Sequence, residues 1–419
     1  RYTEAARSIK PGEIVLKERA HCAVLLDQYA ATNCFHCFKR WTCVEPCPRC
    51  SAVGFCSVGC RDKALGSHHG IECAILASLW SSGTSITCHI AFRMIAQKPC
   101  SYFANTKLKE NFKAFDGKAY NGSDYTNVYN LVRHQDQRSV EDFLHRAHVA
   151  VFLFSCLEEA GYFNNFGGSQ EDLIKTEKLV GGLLLRNLQL VQFNAHEVSQ
   201  LEMKSAECLD GVKSVFIGGA VYPTLALFNH SCDPSIVRYF NGTTVVARAV
   251  KPIRRGETIG ENYGPIFTET RREDRQTLLK NQYWFECGCA PCTENWPTIE
   301  DMDPTVLRFR CQQVESCRNV ILVPTDTMEF AVMCDLCDKF TNILKGLKVL
   351  QDTETLFRLG KSLKEEGKIG QALKKFLELL SLLDETLAPP FRDYHMCQQE
   401  IRTCFLSLGN KYVTTGKKK

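Results

Sequence analysis

Cysteines carry the clearest chemical signature in this sequence. The chain has 419 residues and 23 cysteines, many of them in closely spaced pairs. Two residues between paired cysteines let both thiolates of a tight turn bind one ion, and Zn²⁺ takes four such ligands tetrahedrally. The first cluster holds four consecutive pairs: Cys34 and Cys37, Cys47 and Cys50, Cys56 and Cys60, and His69 and Cys73. Eight ligands predict two zinc ions.

The alternative for this first cluster is a disulfide-bonded knot. Disulfide domains rarely combine such cysteine pairs with a histidine, so the pattern favours metal. A segment this short buries too little apolar surface to fold alone, and bound metal would supply the missing stability. The three-residue gap before Cys73 favours His69 over its neighbour His68 as the histidine ligand.

Two more cysteine clusters follow in the second half of the chain. Three thiols stand close together in one string and need a fourth ligand from elsewhere: Cys287, Cys289 and Cys292. The last cluster has zinc-ribbon character, with two turns that each contribute a pair: Cys311 and Cys317, then Cys334 and Cys337. The five-residue gap in its first pair is wider than usual, so four ordinary thiols are the alternative there.

Two polar strings lie between the first and second cysteine clusters. Residues 229–234 read Asn-His-Ser-Cys-Asp-Pro and follow an apolar run. Residues 256–264 read Gly-Glu-Thr-Ile-Gly-Glu-Asn-Tyr-Gly and follow the strand-like segment 244–250. Taken singly, each string is typical of a polar turn at the end of a strand.

Taken together and in this order, the two strings and the three-thiol loop resemble the catalytic half of SET-domain lysine methyltransferases. They correspond to that family's NHS motif, its GEE motif with the following tyrosine, and its post-SET zinc loop, and residues 9–18 match its first strands. The eight-ligand cluster resembles the MYND zinc finger. A MYND finger inserted into a SET domain identifies the SET-and-MYND-domain (SMYD) family. Within that family the sequence looks most like the member with additional tetratricopeptide repeats at its N-terminus. The family's Gly-x-Gly motif is missing before the first strand, so we expect the sequence to begin partway along a longer chain.

The resemblance implies S-adenosylmethionine (SAM) as cofactor and Tyr263 as the catalytic residue. The tyrosine hydroxyl would orient a neutral lysine amine for in-line displacement; its alternative role is packing at a strand end. Tyr283 would line the substrate channel, with core packing as the alternative for it and for Phe285. The implied cofactor-binding residues are Asn229, His230, Asn194, Tyr263, Phe285 and, from a weaker alignment, Tyr129.

The resemblance also implies how the zinc ligands group. In MYND fingers the pairs interleave, so Cys34, Cys37, Cys56 and Cys60 would share one ion, and Cys47, Cys50, His69 and Cys73 the other. Cys232 would complete the post-SET site with Cys287, Cys289 and Cys292. Three zinc ions are therefore expected, and four if the last cysteine cluster binds metal.

These residues need a mixed α+β scaffold to position them. Residues 74–190 show apolar positions at three- and four-residue intervals, which predicts helices, and Gly181-Gly182 there predicts a turn.

Residues 356–376 follow the tetratricopeptide spacing, and a second repeat start falls at residues 405–412; the alternative is an unrelated helical hairpin. We predict these parts: 1–33 N-terminal SET, 34–73 MYND finger, 74–190 helical SET insert, 191–265 core SET, 266–295 post-SET, 296–340 zinc-ribbon linker, and 341–419 a tetratricopeptide-like helical domain.

Composition limits the remaining function classes. The chain is 44% hydrophobic and 23% charged, which excludes a disordered or collagen-like protein. Its net charge of +4 is too small to indicate nucleic acid as the primary partner. Its longest apolar run, Ala147 to Leu157, is shorter than the roughly 20 residues of a membrane helix.

The resemblance implies a lysine methyltransferase acting on histone or other proteins, in the nucleus and cytoplasm. Its further partners would be proline-rich peptides through the MYND finger, histone deacetylase or corepressor complexes, and chaperone-like proteins through the helical repeats. The rival hypothesis is a zinc-dependent interaction scaffold whose SET domain is weak or inactive.

Overall fold

The strands and helices of this chain were located in a computed structural model, which describes residues 2–108, 124–205, 209, 211–313, 317 and 319–413. The strands are β1 (Ile14–Arg19), β2 (Cys22–Leu25), β3 (Glu45–Pro46), β4 (Gly54–Phe55), β5 (Ala195–Met203), β6 (Lys213–Val221), β7 (Ile236–Asn241), β8 (Thr244–Ala249), β9 (Val306–Arg310), β10 (Val320–Pro324), β11 (Ala331–Met333), β12 (Phe340–Asn342) and β13 (Lys411–Val413). The helices are α1 (Val58–Leu65), α2 (His68–Ser81), α3 (Ile86–Ala96), α4 (Cys100–Asn105), α5 (Tyr125–Tyr129), α6 (Val140–Glu159), α7 (Gln170–Asn194), α8 (Arg272–Tyr283), α9 (Ala290–Thr293), α10 (Ile343–Glu365), α11 (Ile369–Thr386) and α12 (Arg392–Leu406). The predicted α+β class is confirmed.

Two sheets combine strands that are far apart in the sequence. One has the antiparallel order β1-β8-β7, and the other has the order β13-β5-β6-β2. The strands β1 and β2 are consecutive in the chain but enter different sheets, with β1 paired to β8 and β2 paired to β6. The two sheets therefore assemble only when residues near 20 meet residues near 220 and 245.

Strand β8 is buried on both faces, which explains its continuous run of apolar residues. Val245 and Ala247 join a core shared with the zinc-finger segment. Val246 points the other way and packs with the C-terminal helices. The sheet β1-β8-β7 therefore lies between the core that includes the zinc-finger segment and the core that includes the C-terminal helices.

The segment between the zinc finger and β5 is helical, as predicted. Ser139 caps α6 by accepting a hydrogen bond from the amide of Asp142, a favourable N-terminal arrangement. Gly181 and Gly182 do not form the predicted turn, because both lie inside the 25-residue helix α7. Neighbouring Val180 and Leu183 are buried, and such packing outweighs the cost of about 1 kcal/mol for each helical glycine.

The C-terminal part contains an α10–α11 hairpin followed by α12. The first two helices approach closely, since a Cβ on Gly360 would lie 2.6 Å from the ring of Phe376. The predicted second repeat start is wrong, because the chain leaves α12 after Leu406 and forms strand β13. Just before β13, the Asn410 side chain accepts a hydrogen bond from the Gly242 amide at 2.7 Å. Strand β13 then pairs parallel to β5.

No helix within the described ranges has the length and apolar character that crossing a membrane requires.

Candidate catalytic centre and metal clusters

The two polar strings lie side by side. The Ser231 amide donates to the Glu261 carbonyl at 2.7 Å, and the Glu261 amide donates to the Asn229 carbonyl at 2.9 Å. His230 and Glu261 thus form a parallel β-bridge. This pairing places Tyr263 directly beside the His230 side chain, although the two residues are 33 positions apart.

Tyr263 is fixed at three points. Its hydroxyl donates to the Phe228 carbonyl at 2.6 Å, its amide donates to His230 Nδ1 at 3.1 Å, and its carbonyl accepts from the Tyr283 hydroxyl at 3.1 Å. Burial, together with the neighbouring Tyr283, raises the pKa of Tyr263 to about 12. The phenol is therefore neutral at physiological pH.

An aromatic cluster surrounds this tyrosine. The Tyr263 ring centroid lies 5.0 Å from that of Tyr283, 5.4 Å from that of His230 and 6.4 Å from that of Phe285. Tyr263, Tyr283 and Phe285 are each only partly buried, so the cluster keeps contact with solvent. Such π faces suit a cationic group, either a sulfonium or an ammonium.

The tautomer of His230 follows from its two contacts. Because Nδ1 accepts the Tyr263 amide, Nε2 carries the proton and donates to Cys232 Sγ at 3.3 Å. Burial lowers the pKa of His230 to about 4, so the ring is neutral at pH 7. His230 therefore connects the Tyr263 segment to a cysteine cluster.

A buried charge pair lies beneath the same segment. Glu261 is 1% exposed and pairs with Arg238, whose Nη1 also donates to the Asn262 carbonyl at 3.2 Å. His196 Nε2 is 3.8 Å from the Glu261 carboxylate, and burial lowers the pKa of His196 to about 3. With His196 neutral, Arg238 is the cation that balances Glu261. The motif string contains Glu261, but nothing in the sequence pointed to Arg238 on β7 as its partner.

Asn194 lies at the end of α7, where its side-chain amide donates to the Val132 carbonyl at 2.6 Å. Its neighbour Phe193 packs 4.7 Å from His134 and 5.1 Å from Trp284, between centroids. This contact brings the end of α7 to the segment that carries Tyr283 and Phe285. Sequence reasoning missed His134 and Trp284, whose left-handed φ angles of 46° and 62° have no sequence signal.

Tyr129 is the last residue of helix α5. Its ring stacks under the Arg186 guanidinium at 3.6 Å and packs against the core of the helical insert. Its backbone carbonyl accepts hydrogen bonds from the same guanidinium. These contacts describe a packing role, and a contact between Tyr129 and cofactor stays a prediction.

The post-SET cysteines meet the NHS string. Cys232, Cys287, Cys289 and Cys292 place their Sγ atoms within 4.8 Å of one another. Separations such as 3.6 Å between Cys232 and Cys292 are far beyond a disulfide bond but near the roughly 3.8 Å edge of a tetrahedral zinc–thiolate site. Fully buried Arg275 on α8 donates to Cys292 Sγ at 3.6 Å, so its positive charge would offset the excess negative charge if the four thiolates held one Zn²⁺. No spacing in the sequence indicated this arginine.

The zinc-finger segment separates into two groups of four, with the interleaved grouping that the resemblance implied. Each group has its ligand atoms within 4.8 Å: Cys34, Cys37, Cys56 and Cys60 in one, and Cys47, Cys50, His69 and Cys73 in the other. His69 rather than His68 joins the second group, with Nε2 at 3.3 Å from Cys47 Sγ and 3.6 Å from Cys50 Sγ. The latter distance is what a tetrahedral zinc site with nitrogen and sulfur ligands requires, about 3.6 Å.

A fourth group lies in the linker between α9 and α10. Cys311, Cys317, Cys334 and Cys337 also have their Sγ atoms within 4.8 Å. The donor sets of all four groups therefore fit zinc.

Comparison with known proteins agrees with this arrangement. The family model of the SET domain matches residues 3–264, more than half of the chain. A protein-lysine N-methyltransferase SMYD4 of Danio rerio is 24% identical over 67% of this chain and 46% of its own length. A SET and MYND domain-containing protein of Dictyostelium discoideum is 24% identical over 75% of this chain and 84% of its own length. The N-lysine methyltransferase SMYD2-B of Xenopus laevis is 24% identical over 74% of this chain and 61% of its own length.

The chain spans less than half the length of the SMYD4 relatives that it matches. Its match to the SET family model covers both sheets except β13, and the inserted segment carries the two groups of ligands expected of a MYND finger. The Dictyostelium discoideum relative is named for the same combination of domains. The chain belongs to the SET-domain family, and it is similar to SET-and-MYND proteins, as the order of its motifs predicted.

Proposed function

We propose that this chain is a SAM-dependent protein-lysine N-methyltransferase. The observation that carries the proposal is the pairing of the strings 229–231 and 261–263, which seats a neutral Tyr263 between a partly open aromatic cluster and a cysteine cluster. Residues of these types in this arrangement fit a cationic methyl donor and an amine acceptor.

When bound, SAM supplies the electrophilic methyl group. Asn229 is exposed at the edge of the cluster and His230 is buried beneath it, and we assign both to the adenosyl part. We assign Asn194 to the methionine end, because α7 ends against the segment 283–285 through Phe193. The partly buried rings of Tyr283 and Phe285 would exclude water from the lysine side chain and face its cationic form.

The role of Tyr263 follows from its hydrogen bond. A phenol has one donor and two acceptor lone pairs, and the donor is engaged by the Phe228 carbonyl. The hydroxyl oxygen therefore offers lone pairs to the N–H groups of an incoming amine. Accepting those bonds would fix the amine for in-line attack, which is where enzymes gain rate by positioning.

Zinc would hold this centre together. In our assignment, one ion bound by Cys232, Cys287, Cys289 and Cys292 fastens the post-SET loop to the segment after His230, and two ions build the MYND finger. Chelation of the first of these ions should disable methyl transfer, since Cys232 accepts the hydrogen bond that orients His230.

The first prediction tests the reaction centre with Tyr263→Phe. Labelled methyl transfer to lysate proteins should fall on the order of 100-fold or more, because one orienting group is lost, while SAM affinity by calorimetry persists. Tyr222→Phe is the matched control, since that buried hydroxyl also donates to a backbone carbonyl, that of Thr243 at 2.9 Å. It should lose similar stability and keep turnover.

If Tyr263→Phe transfers methyl groups at the parent rate, Tyr263 is a packing residue and not a catalytic residue. A zinc-replete parent chain that neither binds SAM nor transfers methyl groups would instead support the interaction scaffold.

We further propose that the MYND finger binds partners and takes no part in methyl transfer. The proposed partners are proline-rich peptides and, through them, histone deacetylase or corepressor complexes; chaperone-like proteins would bind the helical domain. Substrates would be histone or other proteins in the nucleus and cytoplasm, which labelling of separated cell fractions would test.

The second prediction concerns two exposed residues of the finger, Arg49 and Lys63. The double variant Arg49→Ala, Lys63→Ala should weaken capture of a proline-rich peptide while SAM affinity stays at the parent value. A large loss of SAM affinity would contradict the separation of the two sites.

A further inference from the structure

The fourth cysteine group lies where two hairpins meet, outside the SET match. Cys311 follows β9 and Cys317 precedes β10, whereas Cys334 follows β11 and Cys337 precedes β12. The first cysteine of each hairpin lies beside the second cysteine of the other. The Sγ atoms are 3.5 Å apart for Cys311 and Cys337, and 3.7 Å apart for Cys317 and Cys334. Each hairpin thus contributes half of one four-sulfur cage.

The turn from Cys334 to Cys337 has a distinctive backbone. The Cys334 amide donates to the Lys339 carbonyl at 2.9 Å, the Asp338 amide donates to the Cys334 carbonyl at 2.9 Å, and Asp338 is left-handed with φ 54°. Such a turn directs both thiols of the pair towards one point. A left-handed non-glycine residue is strained, and such strain persists only where the surroundings hold it in place.

The same turn occurs in the first group of the zinc finger. There the Cys34 amide donates to the Lys39 carbonyl at 2.8 Å, the Phe38 amide donates to the Cys34 carbonyl at 2.8 Å, and Phe38 has φ 65°. The two turns share backbone bonding, handedness and a flanking antiparallel pair, Asn33 with Arg40 and Met333 with Phe340, although they lie about 300 residues apart in the sequence. What they have in common is a four-cysteine cage, so we attribute the shared geometry to the cage.

Polar contacts at the fourth group suit thiolates. Asn319 Nδ2 donates to Cys334 Sγ at 3.3 Å. Cys311, Cys317 and Cys334 are at most 4% exposed and all four sulfurs are free rather than disulfide-bonded. A buried group of four thiols with a side-chain amide donating to one of them is the environment of bound metal and not of chance neighbours.

The hairpins have little core of their own. Large apolar side chains on the hairpins and on the connection between them face solvent, among them Met328 at 90% exposed, Phe330 at 68% and Phe340 at 66%. Phe309, Ile321 and Val323 anchor them against the C-terminal helices, and a Cβ on Gly346 of α10 would lie 2.3 Å from the Phe309 ring. A module with so few buried residues needs another source of stability, which bound metal can supply.

We propose that Cys311, Cys317, Cys334 and Cys337 bind a structural zinc ion that closes the two hairpins into a ribbon and seats Phe309 against α10. This ion is additional to the three of the proposed function. The ribbon also contacts the end of α11, where Arg310 Nη2 bonds Asp384 at 2.8 Å. The fourth ion therefore stabilises the junction between the SET part and the C-terminal helices.

Zinc content of the intact chain tests this proposal directly. Native mass spectrometry of the full chain should find four ions per chain, and the double variant Cys334→Ser, Cys337→Ser should hold three. The matched control is Cys43→Ser, Cys88→Ser, which changes two cysteines outside all four groups and should keep four. Three ions in the parent, or four in the Cys334→Ser, Cys337→Ser variant, would overturn the proposal.

A second measurement does not depend on the variant folding. Alkylation of the parent chain, read peptide by peptide, should leave partly exposed Cys337 protected until a chelator is added, whereas exposed Cys43 reacts at once. Equal alkylation of Cys337 with and without chelator would also overturn the proposal. Neither readout involves methyl transfer, so failure here is distinct from failure of the proposed enzyme activity.

Discussion

Glu257 and Glu261 belong to one motif string but have opposite environments. Glu257 pairs with Arg254 at 3.5 Å with both side chains 38% and 40% exposed, so water screens the pair. Glu261 pairs with Arg238 beneath the proposed reaction centre and is 2% exposed in its side chain. Losing one partner of a buried pair leaves an uncompensated charge, and that penalty exceeds anything at the surface.

The third prediction compares these two glutamates. Glu261→Gln should lower the free energy of unfolding by about 3 kcal/mol, because it strands the Arg238 charge. Glu257→Gln should change it by less than about 1 kcal/mol. Denaturant unfolding of both variants measures the difference. Equal midpoints would show that Arg238 is solvated well enough to need no carboxylate.

Tyr263 shows how a residue's contacts change the expected cost of replacing it. A hydroxyl without a buried partner could be removed for about 1 kcal/mol or less. The observed bond to the Phe228 carbonyl at 2.6 Å means that Tyr263→Phe leaves that acceptor unpaired, at a cost of about 1–3 kcal/mol. The activity comparison with Tyr222→Phe therefore needs both proteins measured well below their unfolding temperatures.

Helices α10 and α11 depend on close backbone approach. Gly360 is buried against Phe376, and Ala372 and Phe376 on α11 are fully buried in the same contact. The apolar face of α11 therefore packs against α10 at Gly360, where the absence of a side chain leaves room for the Phe376 ring. The tetratricopeptide-like spacing predicts this packing, although the assignment of a true repeat stays a prediction.

The fourth prediction is that Gly360→Ala destabilises the chain by about 1–3 kcal/mol, since a Cβ there would overlap the Phe376 ring. Gly370→Ala is the matched control, because Gly370 lies in the first turn of α11 and a methyl group added there would meet no neighbouring side chain within 4 Å. Helix propensity makes that change neutral or stabilising by up to about 1 kcal/mol. Thermal unfolding should separate the two. A neutral Gly360→Ala would mean that the helices can move apart at no cost.

The C-terminal helices are joined to the SET sheets by the last strand as well as by the buried face of β8. Asn410 accepts from the Gly242 amide at 2.7 Å, donates to the Gly242 carbonyl at 3.0 Å, and receives the Leu201 amide on its own carbonyl at 2.8 Å. One side chain thus links the β7–β8 turn to strand β13. The helical domain is in this way hydrogen-bonded to a sheet whose strands begin near residue 20.

The fifth prediction is that Asn410→Ala loosens this link. Losing two hydrogen bonds to Gly242 should cost about 1–3 kcal/mol and speed amide exchange of Leu201 and of residues 411–413. Asn105→Ala is the control, since its side-chain amide donates to the nearby Ser101 carbonyl at 2.8 Å at an exposed helix end. Unchanged exchange in β13 would place the stability of the link in apolar packing instead.

The sequence alone predicted the candidate zinc ligands, the family and the tyrosine that lies at the centre of the aromatic cluster. Cysteine pairs need only short-range spacing to bind zinc, so the pairs of ligands could be predicted from their intervals, whereas the grouping of the pairs and the place of Cys232 came from the resemblance to a family. The strings 229–234 and 256–264 are equally local, and their residue types carried the resemblance. Helices in the insert followed from apolar periodicity, whereas the turn predicted at Gly181-Gly182 was wrong because tertiary packing outweighed local propensity.

Only the tertiary structure decided how these local pieces meet. The pairing of Glu261 with Arg238, the Arg275 charge beside the post-SET thiols, and the contact of His134, Phe193 and Trp284 all join residues remote in the chain, which no spacing rule encodes. The segment after Leu406 resembled a repeat start by its spacing, yet Asn410 bonds to Gly242 and the chain becomes a strand. Local spacing fixes which atoms can bind a metal, but the partner of a buried charge or an edge strand depends on the whole fold, because burial exists only after distant segments have packed.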